Sequence, residues 1–125
     1  MVGVIHGDPV FSNVFLCDHQ LIRLIDMRGR VGETATIFGD VFYDWAKVYQ
    51  SLYGYDFILN DCEINAIYLR ELREFFEARF IEMFSPRLLE TLRYITAGLY
   101  FSLIPLHHER EKQSKYLNLV EEILG

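Results

Sequence analysis

Near its start the chain runs HGDPVFSNVFLCDHQLIRLIDMRG over residues 6–29. Three of these side chains, Asp8, Asn13 and Asp26, carry oxygen donors: two carboxylates and an amide carbonyl. Hard oxygen ligands of this kind suit Mg²⁺, which keeps waters and substrate phosphates in its shell and needs only one or two protein carboxylates. Asn13 lies five residues after Asp8, and Asp26 eighteen after it, so a loop followed by a hairpin can bring all three around one point. Asn13 and Asp26 would then hold the metal, leaving Asp8 to orient and deprotonate an alcohol. That division of labour suits phosphoryl transfer to a hydroxyl, where a base precedes a metal-binding Asn and a later Asp holds metal against the phosphates.

The elements that must position these groups fall into two regimes. Residues 1–40 are short apolar runs broken by Gly, Asp and Asn. VGVIHGD reads as a short strand entering a loop. NVFLC and LIRLIDM read as a hairpin that turns at DHQ, with Asp18 and His19 supplying the turn chemistry. Residues 29–40 contain three glycines and no apolar period, which predicts an irregular loop. From about residue 41 the period becomes helical. A first helix, YDWAKVYQSLYG, has Asp44 at its start and Gly54 as terminator.

A second helix, CEINAIYLRELREFFEARFIEMF, takes its cap from Asn60 or Asp61, and Asn60 with Glu63 has capping-box spacing. Its apolar stripe is Ile64, Tyr68, Leu72, Phe75, Phe76 and Phe80. Ser85-Pro86 opens a third helix whose stripe is Leu88, Leu89, Leu92, Ile95, Leu99 and Leu103, and Pro105 ends or kinks it. A last helix over 111–124 buries Leu117, Val120, Ile123 and Leu124. The expected fold is mainly α with a small β-hairpin region (α+β). One domain spans 1–125: a loop and metal hairpin over 1–40 and a helical bundle over 41–125.

HGDPVFSN, then LIDMRG, then GDVFYDWA resemble the aminoglycoside phosphotransferase and choline kinase family. That family shows HGD-x4-N, a hydrophobic strand ending in ID, and GD-x3-D-L-A. The third block matches at Gly39, Asp40, Asp44 and Ala46, with Trp45 where Leu is common. The resemblance covers residues 4 to about 50. It implies the C-terminal lobe of a protein-kinase-like fold, with Asp8 as catalytic base and Asn13 and Asp26 as Mg²⁺ ligands. His6 would brace the loop through its ring nitrogens. Asp44 would cap its helix and accept hydrogen bonds from the loop backbone. Arg28 and Arg30 replace the usual aromatic or small residues after ID. They could pair with an acidic substrate or phosphate, or lie on solvated surface.

The family's N-terminal nucleotide lobe is not expected within these residues. No glycine-rich phosphate loop and no strand-borne Lys precede His6, and GRVG at 29–32 follows the metal Asp. The resemblance therefore implies part of a Mg²⁺- and ATP-dependent small-molecule kinase, inactive as an isolated fragment. Its acceptor would be an alcohol: a sugar, an aminoglycoside or a choline-like compound. The alternative is a non-catalytic interaction module that forms homo-oligomers through apolar surface.

Composition narrows the partners. The formal net charge is −6 and no Lys/Arg cluster stands out, which argues against nucleic acid. The most apolar stretch, YITAGLYFSLIPL at 94–106, falls short of the roughly 20 residues a bilayer crossing needs. Two cysteines, Cys17 and Cys62, make no disulfide framework, and no secretory signal is visible, so a cytoplasmic protein is expected. His107, His108 and Glu109, with Cys17 and His19, lack the spacings of a zinc site.

Overall fold

A computed structural model describes all residues, Met1–Gly125. Six short strands come first: β1 (Val2–Val4), β2 (Val14–Leu16), β3 (Ile22–Leu24), β4 (Arg30–Val31), β5 (Thr34–Ala35) and β6 (Phe38–Asp40). Five helices follow: α1 (Val41–Leu52), α2 (Tyr55–Leu59), α3 (Ala66–Met83), α4 (Pro86–Leu103) and α5 (Arg110–Leu124). The architecture is mainly helical with small antiparallel sheets.

The strands form three separate pairs: β1 with β6, β2 with β3, and β4 with β5. The β2–β3 hairpin turns at Asp18–Gln20, where His19 and Gln20 adopt positive φ. Residues 29–40 are not the irregular loop that their glycines suggested. Gly32, at φ 58°, permits a tight turn that pairs Arg30 with Ala35 and Val31 with Thr34. Phe38–Asp40 then returns beside Val2–Val4. These strands are too short to show a period-2 pattern, so sequence alternation could not reveal them. A Cβ on Gly39 would lie 2.5 Å from Ile5 Cδ1, so a larger residue in β6 would force the Ile5 side chain to shift.

The helix boundaries also move. Asp40, not Asp44, caps α1, accepting from the Phe42 N–H at 3.1 Å. Gly54, at φ 103°, ends that run, and the chain immediately makes α2, which apolar periodicity did not mark. Five residues are too few to show a helical stripe. Asn60 and Asp61 belong to the end of α2, and Asn65 caps α3 through its bond to the Tyr68 N–H. The Asn60–Glu63 box therefore does not form. Ser85 and Pro86 open α4 as their chemistry dictates.

The core lies between the helices. Ala46, Tyr49 and Leu52 of α1 pack with Phe80 of α3, Leu89, Leu92, Ala97 and Tyr100 of α4, and Tyr116 and Ile123 of α5. Each fully buried large side chain contributes about 1.5–3 kcal/mol from apolar area removed from water. An aromatic seam of Phe42, Trp45, Phe76, Phe80 and Phe84 joins α1 to α3. The α3 stripe keeps Leu72, Phe76 and Phe80 but begins at Leu69, leaving Tyr68 and Phe75 exposed. In α5 the buried face is Lys112, Tyr116 and Ile123, because Tyr116 packs on Tyr100 and His107; Leu117 and Leu124 face solvent. No helix is long and apolar enough to cross a membrane.

Candidate active site

The loop from His6 to Asn13 lies across α1, and its backbone is held almost group by group. Asp44 accepts from the N–H of His6 at 2.7 Å and of Gly7 at 2.9 Å, one bond to each carboxylate oxygen. The Asp8 N–H donates to His6 Nδ1 at 3.2 Å. Ser51 Oγ accepts from Phe11 N–H at 3.0 Å, and Asp56 Oδ1 accepts from Ser12 N–H at 2.9 Å. Asn13 N–H closes onto the Val10 carbonyl, and Pro9 has no N–H to satisfy. Side chains of α1 and α2 thus replace the ladder that a strand would have provided.

The geometry follows from local sequence. Gly7 adopts φ 90°, and a Cβ there would come within 2.6 Å of Arg28 Cβ, so the turn between His6 and Asp8 requires glycine. Since His6 Nδ1 accepts, Nε2 is the protonated nitrogen, and it donates to the Ile25 carbonyl at 2.8 Å. One imidazole therefore ties the loop to the strand that precedes Asp26. Two backbone bonds repeat the tie: Ile25 N–H to the Asn13 carbonyl and Arg28 N–H to the His6 carbonyl. Asp26 itself turns the chain at φ 56°, a left-handed conformation that Asp tolerates better than most residues.

Asp8 and Asn13 touch directly. The Asn13 amide nitrogen donates to the Asp8 carbonyl at 2.9 Å and to its carboxylate at 3.3 Å, which turns Oδ1 away from Asp8. Asp8 and Asp26 line one cleft of 250 Å³ with Gly7, Arg28, Lys47 and Tyr55. Asp8 has an ion-pair partner, Lys47, at 3.4 Å, whereas Asp26 has no cation within that range. Asn13 touches Asp8 but does not line this cleft. The unpaired Asp26 carboxylate is a hard oxygen donor of the kind Mg²⁺ takes from a protein that leaves its remaining positions to water and phosphate. No group of three or more His, Cys, Asp and Glu could hold a metal by itself, at His107–Glu109 or elsewhere.

Comparison with known proteins returns nothing: no family model, curated protein or solved structure matches the chain. Arg28 lines the cleft and donates to the Tyr43 hydroxyl at 3.3 Å. Arg30 does not reach the cleft. Its Nε donates to the Gly32 carbonyl at 2.8 Å, and it borders a neighbouring 210 Å³ hollow that Arg28 also lines. Burial and the negative charges of Asp8 and Asp56 push the Tyr55 hydroxyl above its ordinary pKa, so it remains a donor at the cleft wall. Lys47, Ser51 and Asp56 were absent from the residues picked by motif. Asp44, Lys47 and Ser51 share one helix face at i, i+3 and i+7, but only the way the loop lies across α1 gives that spacing a role.

Proposed function

We propose that this chain carries the base and metal-binding half of a Mg²⁺-dependent phosphotransferase that uses ATP and an alcohol acceptor. One observation carries the reading. Asp8 sits in contact with Asn13 and shares a cleft with Asp26, on a loop whose backbone is pinned by Asp44. Asp8 would orient the acceptor hydroxyl and take its proton as the oxygen attacks phosphorus and the bond to the nucleoside diphosphate breaks. Asn13 and Asp26 would hold Mg²⁺, which neutralises phosphate charge when bound. His6 and Asp44 act at one remove, by fixing the loop. Arg28 is the better of the two arginines for an anionic group, because it alone lines the Asp8 cleft. The resemblance implies a small hydroxyl compound as acceptor, such as a sugar, an aminoglycoside or a choline-like molecule, in a cytoplasmic setting compatible with two free thiols.

The test is Asp8→Asn in a protein that joins residues 1–125 to a nucleotide-binding lobe. ATP-dependent phosphorylation of a hydroxyl acceptor is expected to vanish with the fold retained. Unchanged turnover overturns the assignment of the base.

A second reading, a non-catalytic interaction module, draws on a different observation. Val2, Leu16, Ile22 and Phe38 are all more than half exposed on the strand region, and apolar surface of this kind drives association. Self-association that rises with concentration in sedimentation, and falls with Leu16→Lys and Ile22→Lys, would favour it.

A further inference from the structure

Lys47, like Lys112, is packed against the protein instead of reaching into solvent, but only Lys47 lines the Asp8 cleft. Its side chain is only 15% exposed, although lysine is almost always solvated. Fixing so long a chain costs rotamer entropy. Its ammonium lies 3.4 Å from Asp8 Oδ1 and 5.8 Å over the Tyr43 ring, and the same Tyr43 hydroxyl accepts from Arg28. One tyrosine thus props two cations at the wall of the cleft that holds Asp8 and Asp26. The two carboxylates and two cations leave that cleft formally neutral, and a divalent cation would leave it doubly positive. A cleft so charged is complementary to a dianion.

We propose that Lys47 binds a phosphate oxyanion in this cleft, and that its ammonium is shared between that oxyanion and Asp8. The role assigned to the phosphate rests on the phosphotransferase reading; the binding itself does not. Before transfer, Lys47 keeps the Asp8 carboxylate turned toward the cleft. As the acceptor oxygen bonds to phosphorus and the bond to the nucleoside diphosphate breaks, the hydroxyl proton passes to Asp8. The neutral carboxyl then releases the ammonium while negative charge is present on the phosphoryl oxygens. An interaction that strengthens at that moment lowers the barrier more than one made equally throughout. Lys47 comes from α1, three residues after the Asp44 that clamps the loop, so one rigid helix face sets both the loop and its cation.

The probe is inorganic phosphate, titrated without metal into the ¹⁵N-labelled chain and followed by amide shifts. Saturable shifts are expected at Gly7, Asp8 and Lys47. Lys47→Met should weaken binding about tenfold or more, and Lys47→Arg should largely restore it, as expected for loss and return of one charge-assisted contact. Asp8→Asn should tighten binding roughly threefold or more, because it frees the ammonium from a competing carboxylate. Dispersion of the remaining amides reports whether each variant is folded. Repeating the titration with Mg²⁺ separates the two sources of phosphate. Tightening assigns Lys47 to the phosphoryl group in transfer, and an unchanged affinity assigns it to a phosphate on the acceptor. A titration that Lys47→Met leaves unchanged, or that Asp8→Asn weakens, overturns the proposal. Because the first titrations hold no metal or nucleotide, they can fail while the base and metal assignments stand, and the reverse.

Discussion

The strand region and the helical region are built on different principles. Of the 22 buried residues, only Ile5, Gly7, Pro9 and Val10 lie before residue 41, and residues 18–35 are exposed throughout. The helices hold a continuous aromatic and aliphatic core, while the strands are two or three residues long and share no sheet. Two-stranded pairs of this length have little stability of their own. Three of these four residues belong to the loop that carries Asp8 and Ile5 directly precedes it, and that loop is fastened to α1 and α2 by side chains. The Asp8 loop is therefore placed by the helical half, and the hairpin bearing Asp26 hangs from the loop through Ile25 and Arg28.

This contrast can be broken first at Asp44. Asp44→Ala removes two charge-assisted bonds and strands the His6 and Gly7 amides, at a cost of about 3 kcal/mol. Denaturant unfolding should show it, together with much faster amide exchange over residues 6–13 and near-normal exchange in α4. Gly7→Ala comes next. Positive φ and the close approach to Arg28 predict a loss of about 2 kcal/mol and displacement of the Asp26 turn, read from amide shifts in β3. Ser51→Ala is smaller, about 1 kcal/mol from the stranded Phe11 amide. An equal loosening of both regions by any of these would refute the dependence of the loop on α1.

The smallest effect at neutral pH belongs to the core. Burial pushes the Tyr116 hydroxyl up to about 12, and that hydroxyl has no hydrogen-bond partner. Tyrosine is neutral when protonated, so a raised folded value means that the unfolded chain ionises first. Stability is then intact below pH 10 and falls as pH rises from about 10 through 12. Tyr116→Phe should be nearly silent at pH 7 and should flatten that alkaline fall in a pH series of unfolding curves. An unchanged slope would show that Tyr116 is not buried in this way.

The helices of the second region were legible in the sequence wherever apolar residues recur over several turns, as in α4. They were not legible in α2, which is too short to show a period. In the first region the spacing of Asp8, Asn13 and Asp26 pointed to one locus because loop and hairpin geometry constrain it locally. Lys47, Ser51 and Asp56 escaped because their roles depend on how the loop lies across α1, which no local pattern encodes. Asp44 was visible as a loop acceptor, but its capping role belongs to Asp40, four residues earlier. The buried face of α5 was misplaced for a related reason: Tyr116 and Lys112 face partners distant in sequence, Tyr100 and Asp61.

The central proposal is that the exposed hairpin and the anchored loop together make one divalent-cation site. Substoichiometric Mn²⁺ tests it most directly, through paramagnetic broadening of amide signals. The expected result is selective loss of the Asp8, Asn13 and Asp26 signals, reversed by excess Mg²⁺ and abolished by Asp26→Asn, with α5 unaffected. Broadening centred on His107 and His108, or a pattern that Asp26→Asn leaves unchanged, would contradict it.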